Sequence, residues 1–284
     1  MEVLAMEKIN KSVLNQVITP RNPESYKGNY GKVLIISGST HFGGATILCS
    51  SAAVNTGSGL VTVATIPEKF TAINVKIPEA MTIDYQNKKA LTEAIKNSDV
   101  IAVGPGLGTS SIAKGVVKAA LTQTNNKQTL ILDASAITII AQENWPLESK
   151  ANLILTPHQG EWQRLSGLDI AEQNPKSNAQ SLQQLNPEAL LVLKKHHSEV
   201  YYHETTAQIE AGNPGMATGG MGDTLTGIIA GFIAQFGFSF QTVSAGLLLH
   251  STIADKLNKD NYVVLPSKVI EKLPKYMAKY SYKD

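Results

Sequence analysis

The stretch GNPGMATGGMGDTLTG, at residues 212–227, combines six glycines with a single acidic residue, Asp223. Glycine loses more conformational freedom on folding than any other residue, so a dense run is tolerated where the backbone needs positive φ or a close approach. Apolar residues at helical spacing follow from Leu225 to Phe236, which predicts that an amphipathic helix starts near Asp223. The free N–H groups and positive dipole end of a helix start suit a phosphate.

Asp223 has two interpretations. An acid in the first turn of a helix can simply complement the dipole or act as a cap. Next to a phosphate donor, however, a carboxylate is repulsive unless it accepts the proton of a hydroxyl that attacks phosphorus. We therefore predict an anion hole formed by Gly220, Met221 and Gly222, with Asp223 as the catalytic base. No GK[ST] sequence occurs here, so the run is not a Walker loop.

The elements that must position this loop are indicated by the hydrophobic pattern. Continuous apolar runs predict strands covered on both faces, as in parallel sheets, at 33–36, 60–64, 99–104, 129–133, 152–156 and 189–194. Helical patterns lie between them at 44–56, 88–97, 110–123, 135–142, 158–166 and 174–186. The alternation predicts one α/β domain over residues 1–284, a mostly parallel sheet with helices on both faces. A hairpin (Val200–His203 with Ala207–Glu210) and three helical stretches complete the pattern.

Four of the predicted strands end in polar or glycine-rich turns: SGSTHFGG, GPGLG, DAS and TPHQGE. Ligands of open parallel sheets bind at the carboxyl ends of strands. Tight turns between a strand and a helix also require glycine, so any single turn is weak support. The four together predict a cleft along one edge of the sheet.

Composition excludes several classes of protein. The chain has 284 residues, of which 43% are hydrophobic and 17% charged, with a net charge of +2. These values are typical of a globular protein and indicate neither disorder nor a nucleic-acid partner. No apolar segment has the length of a membrane span, and no secretory signal is recognisable, so we expect a soluble cytoplasmic protein. The one cysteine, Cys49, lies among small and apolar residues and is predicted to be buried rather than nucleophilic.

Several sequence motifs of the chain, taken together, closely resemble those of the ADP/ATP-dependent NAD(P)H-hydrate dehydratases, a ribokinase-fold family. The likeness extends from about Lys27 to Gln235 and is carried by GKVLIISGSTHFGGA, TGSGLVTVAT, AVGPGLG, LILDASA, LTPHQGE and GNPGMATGGMGDTLTGIIAGF. The resemblance implies repair of the S epimer of hydrated NADH or NADPH at the expense of a nucleotide. Bacterial members typically use ADP, and the resemblance leaves ADP or ATP open here. It also implies a ribokinase-like fold and Mg²⁺ as cofactor.

The resemblance also implies positions for the hydrated nicotinamide nucleotide. Ala45, Gly106, Gly108 and His158 match the family's substrate-binding residues, and Asp223 joins them as the base. Small residues have a physical role at such positions because the backbone can then approach a flat ring and its ribose. A lone histidine is more often structural, but His158 follows a predicted strand directly.

The adenine nucleotide is implied at the turn that follows the last apolar run. By resemblance its residues are Lys194, Lys195, His196, His197 and Ser198, with Gly222 closing the site. The family usually has lysine-glycine and a threonine at this turn. Lys195 in place of glycine disfavours positive φ, whereas Ser198 keeps the hydroxyl. The additional lysine and the two histidines could contact phosphates or remain solvated.

Two further acidic residues, Glu161 and Asp133, each have an ordinary structural interpretation. Glu161 matches a glutamate that holds Mg²⁺ indirectly, through water, in ribokinase-like enzymes, but it could equally be an ordinary first-turn acid. Asp133 ends an apolar run and could simply cap the next turn.

Two other functions are compatible with the same motifs. A kinase of a vitamin-precursor hydroxyalkyl heterocycle would share Asp223 and differ in the pocket near Ala45 and His158. A non-catalytic nucleotide sensor would bind nucleotide without turnover. An epimerase of the hydrate would have to be a separate partner, and family precedent implies a homotetramer.

Overall fold

The computed structural model describes residues 6–282. Its strands are β1 (Glu7–Lys8), β2 (Lys32–Ile36), β3 (Leu60–Thr65), β4 (Ala80–Asp84), β5 (Val100–Val103), β6 (Thr129–Leu132), β7 (Asn152–Leu155), β8 (Leu190–Leu193), β9 (Glu199–Tyr202) and β10 (Thr205–Gln208). Its helices are α1 (Ser12–Val17), α2 (Gly43–Thr56), α3 (Phe70–Lys76), α4 (Lys88–Asn97), α5 (Ser111–Gln123), α6 (Ser135–Gln142), α7 (Gln159–Ser166), α8 (Pro175–Leu185), α9 (Met221–Phe236), α10 (Phe240–Asn258) and α11 (Pro266–Ser281).

The ten strands form a single sheet in the order β1-β10-β9-β8-β7-β6-β5-β2-β3-β4. The seven strands from β8 to β4 in that order pair in parallel. Strand β9 is antiparallel to both β8 and β10, and β1 pairs in parallel with β10 at the edge. All parallel strands therefore end at one edge of the sheet, where their loops meet.

Helices cover both faces of the sheet because successive strand residues point to opposite sides. Val33 and Ile35 belong to a core shared with α1, α2, α9, α10 and α11. Leu34 and Ile36, one residue away in each case, belong to a second core shared with α4, α5, α6, α7 and α8. Burial on both faces explains why the central strands read as continuous apolar runs.

The structure confirms the predicted fold class. Each of the six predicted runs is a strand, and the three helices predicted after the glycine run are α9, α10 and α11. Cys49 is fully buried, as predicted. No helix within the described part of the chain is long and apolar enough to span a bilayer.

The hairpin prediction was wrong in detail. Its second strand is Thr205–Gln208 rather than Ala207–Glu210, because the turn contains only His203 and Glu204. His203 takes a left-handed φ of 51°, which makes so short a turn possible.

Four elements were not predicted from the sequence. One is helix α3, a seven-residue helix in which Ile73 alone is buried. Strand β4 lies at the edge of the sheet and is only partly buried, so it lacks a continuous apolar run. Strand β1 has two residues, both exposed. Helix α1 has six residues, of which Leu14 alone is fully buried.

Candidate active site

Three neighbouring strands deliver charged side chains to one point. Asp133 follows β6, His158 follows β7 and Lys194 follows β8. The strand pairing continues past β7 and β8, where the Lys194 N–H donates to the Pro157 carbonyl over 2.8 Å. Residues that are far apart in the chain are therefore side by side at the carboxyl edge of the sheet.

Lys194 is the centre of this charge cluster. Its Nζ lies 2.7 Å from Asp133 Oδ1 and 4.0 Å from Glu161 Oε2. The other Asp133 oxygen accepts a hydrogen bond from Thr226 Oγ1 of α9 over 2.8 Å. Asp133 does not cap the helix that follows it, since α6 has no side-chain cap; its carboxylate instead joins β8 to α9.

His158 and Glu161 form a reciprocal cap at the start of α7. His158 Nδ1 accepts from the N–H groups of Gly160 and Glu161, and Glu161 Oε2 accepts from the His158 N–H over 2.9 Å. Such a box satisfies N–H groups that the helix leaves free. Both residues therefore have a structural role at this point. Their predicted roles towards substrate and the magnesium network stay predictions.

The predicted anion hole is the N-terminus of α9. Gly220 precedes the helix with a left-handed φ of 93°, and a Cβ there would lie 2.2 Å from Leu48 Cδ1. A Cβ on Gly222 would lie 3.3 Å from Lys194 Nζ, so the ammonium group faces the first turn. The glycines thus bring free helix N–H groups and a cation to the same place, which suits a phosphate.

Asp223 lies in that first turn and is largely buried. Burial raises the pKa of its carboxyl to about 6, and the Asp133 and Glu161 carboxylates act in the same direction, while Lys194 opposes them. A base with a pKa near the working pH is suited to accept a proton in catalysis. The role of Asp223 as the base stays a prediction that this environment favours.

The Lys194 ammonium is held in its charged form. Burial disfavours the charge, but the Asp133 and Glu161 carboxylates outweigh burial and raise the pKa of Lys194 above its ordinary value. A cation therefore persists beside the anion hole at neutral pH.

The residues predicted to contact the nicotinamide nucleotide cluster at the exits of β2 and β5. Gly106 has a φ of 62°, and a Cβ on it would lie 2.9 Å from the Ala45 Cβ. The Gly108 N–H donates to Ser135 Oγ over 3.0 Å. Leu48, one turn after Ala45 in α2, reaches Gly220. This group therefore adjoins the anion hole at Gly220.

On the Lys194 side the anion hole opens into a cavity of about 680 Å³. All five residues of the predicted nucleotide turn, 194–198, line this cavity together with Met221 and Gly222. His158 also lines it, beside Lys194, and its contact with the hydrated nucleotide stays a prediction. Its volume is in the range of small-ligand sites.

The rest of the cavity lining includes residues that sequence reasoning missed: Ile209, Ala211, Asn213, Met216, Leu247, His250 and Ser251. Asp255 supports this part of the lining from outside, because its carboxylate accepts from the Gly212 N–H and from Asn213 Nδ2. The histidine and the aspartate of α10 lie in an amphipathic helical pattern and carry no local signal of a site.

The turn that contains Lys195 keeps its shape without glycine. Lys195 does not have positive φ; His197 does, at 57°. Lys195 Nζ instead pairs with Glu199 Oε1 over 2.7 Å, and Glu199 Oε2 accepts from the Tyr201 hydroxyl over 2.6 Å. The extra cation of this chain therefore neutralises a buried carboxylate.

The acidic residues do not form a protein cage for a metal ion. Within residues 6–282, no group of three or more His, Cys, Asp or Glu side chains is placed to hold one. Lys194 already occupies the space between Asp133 and Glu161. These carboxylates fit an ion bound mainly by phosphate oxygens and water, as magnesium usually is at nucleotide sites.

The chain is similar to known proteins along most of its length. Residues 33–275 match the sequence family described as NAD(P)H-hydrate dehydratase. The chain is 43% identical over 276 residues to the ADP-dependent (S)-NAD(P)H-hydrate dehydratase of Lactiplantibacillus plantarum, covering 97% of this chain and 98% of the relative.

Two solved structures are similar over nearly the whole chain. A ribokinase-like superfamily protein from Enterococcus faecalis is 42% identical, with a TM-score of 0.94, covering 97% of this chain and 96% of its own. The ADP/ATP-dependent NAD(P)H-hydrate dehydratase of Bacillus subtilis, co-crystallised with ATP and Mg²⁺, is 26% identical with a TM-score of 0.87, covering 98% of this chain and all of its own. The ribokinase-like fold is thereby confirmed.

Proposed function

Because the chain belongs to the NAD(P)H-hydrate dehydratase family, we propose that it is an enzyme that dehydrates (S)-NAD(P)H hydrate to NAD(P)H with ADP as the phosphoryl donor. Whole-length relatives at 40–43% identity carry this ADP-dependent activity in their names. One structural observation supports it most directly. Asp223, the N-terminus of α9 and the Lys194 ammonium meet between the cluster around Ala45 and Gly106 and the cavity of the nucleotide turn.

The reaction begins with phosphoryl transfer. The C6 hydroxyl of the hydrated nicotinamide ring attacks the β-phosphorus of ADP, and Asp223 accepts the hydroxyl proton. The new O–P bond forms as the bond from phosphorus to the bridging oxygen breaks, and AMP leaves. The N–H groups of Gly220, Met221 and Gly222, together with Lys194, stabilise the charge on the transferred phosphoryl group.

The second stage is elimination. A phosphate ester is a better leaving group than hydroxide, so the lone pair of the ring nitrogen expels phosphate from C6. Loss of a proton from C5 then restores the dihydronicotinamide double bond. The net products are NAD(P)H, AMP, phosphate and a proton.

The ligands are assigned as follows. Ala45, Gly106, Gly108 and His158 contact the hydrated nucleotide, and the nucleotide turn with Gly222 holds ADP. Mg²⁺, which would neutralise charge on the donor phosphates, would be held by phosphate oxygens and by Glu161 through water. ATP as donor, the separate epimerase partner and the homotetramer stay predictions.

The test uses NADH that has been aged enzymatically so that it contains the hydrate. Protein, Mg²⁺ and either ADP or ATP are added, and absorbance of the dihydronicotinamide band is followed while AMP, ADP and phosphate are measured. We expect an ADP-dependent recovery of absorbance with one AMP and one phosphate per NADH. A stable phosphorylated product without recovery would instead identify a kinase, and nucleotide binding with no chemistry would identify a sensor.

A further inference from the structure

His250 is a buried titratable residue in the nucleotide cavity that the reaction does not use. It lies in α10, is 3% exposed and lines the nucleotide cavity. Several other lining residues, which include Ile209, Met216 and Leu247, are apolar. Sites for flat heterocycles typically combine such an apolar wall with a few polar groups that fix orientation.

The contact between His250 and Met221 determines which ring nitrogen carries the proton. His250 Nε2 lies 3.1 Å from Met221 Sδ. A thioether sulfur has lone pairs and no hydrogen to donate, so Nε2 must be the donor. In a neutral imidazole the other nitrogen is then an acceptor.

The ring is neutral at physiological pH. Burial lowers the pKa of His250 to about 4, and no other cause contributes. Nδ1 makes no hydrogen bond with any residue of the described range 6–282. An acceptor without a protein partner therefore remains in a cavity wall that is otherwise largely apolar.

The cavity extends beyond Lys194 and Gly222 at the anion hole, so a nucleotide whose phosphate lies there has its base among the other lining residues, which include Ile209, Leu247 and His250. Among the other polar groups of the cavity, Asn213 Nδ2 donates to Asp255 and Ser198 Oγ donates to the Lys195 carbonyl. Asn213 Oδ1 and His197 Nδ1 have no partner within the described residues, but both atoms are shielded from solvent. We propose that His250 Nδ1 is a specificity determinant that accepts a hydrogen bond from the exocyclic 6-amino group of adenine.

This inference rests on the proposed function only for the identity of the co-substrate, and it goes further by naming the group that reads the base. A 6-oxo purine would direct a carbonyl lone pair at the Nδ1 lone pair. Inosine diphosphate, which differs from ADP at this position, should therefore bind more weakly. The loss of one neutral hydrogen bond together with an unsatisfied acceptor predicts a difference of about tenfold or more.

The test measures dissociation constants of ADP and inosine diphosphate by calorimetry for the wild type, His250→Leu and His250→Gln, with thermal unfolding as a check on folding. We expect the wild type to prefer ADP by about tenfold, His250→Leu to reduce the preference to about twofold, and His250→Gln to recover part of it through its amide oxygen. His203→Gln, in the exposed hairpin turn, is the matched control and should keep the wild-type ratio. An unchanged ratio in a folded His250→Leu protein would overturn the inference.

A second measurement does not depend on the variants. In the ¹⁵N spectrum of histidine-labelled protein, His250 should show a protonated Nε2 and an unprotonated Nδ1, and ADP but not inosine diphosphate should shift the Nδ1 resonance towards that of a hydrogen-bonded acceptor. A proton on Nδ1 would contradict the proposal. Both measurements concern binding alone, so a lack of dehydratase turnover would refute the proposed function and leave this inference standing.

Discussion

Among the individual residues, Asp223 has the environment on which the proposed phosphoryl transfer most depends. Its carboxyl shares a small volume with Asp133, Glu161 and Lys194, and burial together with the two carboxylates raises its pKa to about 6. The same burial that prepares the base makes its charged form costly. Asp223 therefore links reactivity to stability.

Replacement of Asp223 with Asn should abolish turnover and leave ADP binding nearly unchanged. The amide cannot accept the hydroxyl proton, and removal of a general base lowers rates by about 10²- to 10⁴-fold. Recovery of NADH absorbance and calorimetric ADP binding measure the two effects. Asp260→Asn, the same change at an exposed position, should have wild-type activity. Near-wild-type turnover in Asp223→Asn would exclude Asp223 as the base.

The pH dependence follows from the sign of the shift. Asp223 acts in its deprotonated form, so kcat/KM should rise with pH and level off above a midpoint of about 6 rather than near 4. A profile that is flat from pH 5 to 8 would contradict this assignment.

Stability should show the reverse dependence. The folded state holds the Asp223 proton more tightly than the unfolded state, so ionisation between about pH 4 and 6 destabilises the fold. At pH 7 Asp223→Asn should therefore increase the free energy of unfolding, by about 1–3 kcal/mol, and the gain should vanish below about pH 4. Urea unfolding of both proteins at pH 4 and 7 measures the difference. A variant less stable than the wild type at pH 7 would show that the Asp223 side chain stabilises the fold.

At the scale of the element, the anion hole is positioned by the close contact of α9 with α2. Gly227, one turn into α9, packs against α2 so tightly that a Cβ would lie 2.0 Å from the Cys49 carbonyl oxygen. This spacing holds Gly220 beside Leu48. The nucleotide turn is fixed in a different way, by the Lys195–Glu199 pair.

Gly227→Ala should destabilise the protein by about 1–3 kcal/mol because the methyl group forces α9 away from α2. It should also weaken ADP binding, since the helix start moves with the helix. Gly115→Ala is the matched control in α5: Gly115 is exposed and a Cβ there meets no atom within 4 Å. That change should stabilise the protein by about 0.5–1 kcal/mol through helix propensity. Equal effects of the two substitutions in chemical unfolding would disprove the close contact.

Lys195→Gly, which introduces the residue usual in the family, should destabilise this chain. Glu199 has a side chain only 4% exposed and would lose its cation, at a cost of about 2–4 kcal/mol. Lys195→Gly combined with Glu199→Gln should recover much of the loss, because the charge is then removed from both sides. A double variant no more stable than the single one, compared by urea unfolding, would show that the pair is not coupled.

At the scale of the whole molecule, the site exists because seven parallel strands end at one edge and a single helix start is placed across them. Residues 6–26 precede the region that carries the family motifs, but they belong to the same fold. Helix α1 packs on α10 and α11; Leu14 is fully buried and Ile18 is only 2% exposed. Residues that take no part in the chemistry therefore contribute to the stability of the core that supports the site.

Leu14→Ala should lower the free energy of unfolding by about 2–5 kcal/mol, as for other fully buried leucines. Val75→Ala removes apolar atoms from a side chain that is 80% exposed and should change it by less than about 0.5 kcal/mol. Chemical unfolding followed by circular dichroism compares the two. A small effect of Leu14→Ala would mean that α1 is dispensable for the core.

The sequence alone was enough to establish the architecture and the family, and it predicts the position of the anion hole and its base. The physical reason is that these features are local: a buried parallel strand is a continuous apolar run, and a helix start that binds phosphate needs glycines followed by an apolar repeat. Only the tertiary structure decided how residues distant in the chain pair. Lys194 meets Asp133 across 61 positions, and His250 meets Met221 across 29, because neighbouring strands and packed helices bring them together. Nor could the sequence reveal β4 and α1, since an edge strand and a six-residue helix bury too few side chains to produce a pattern.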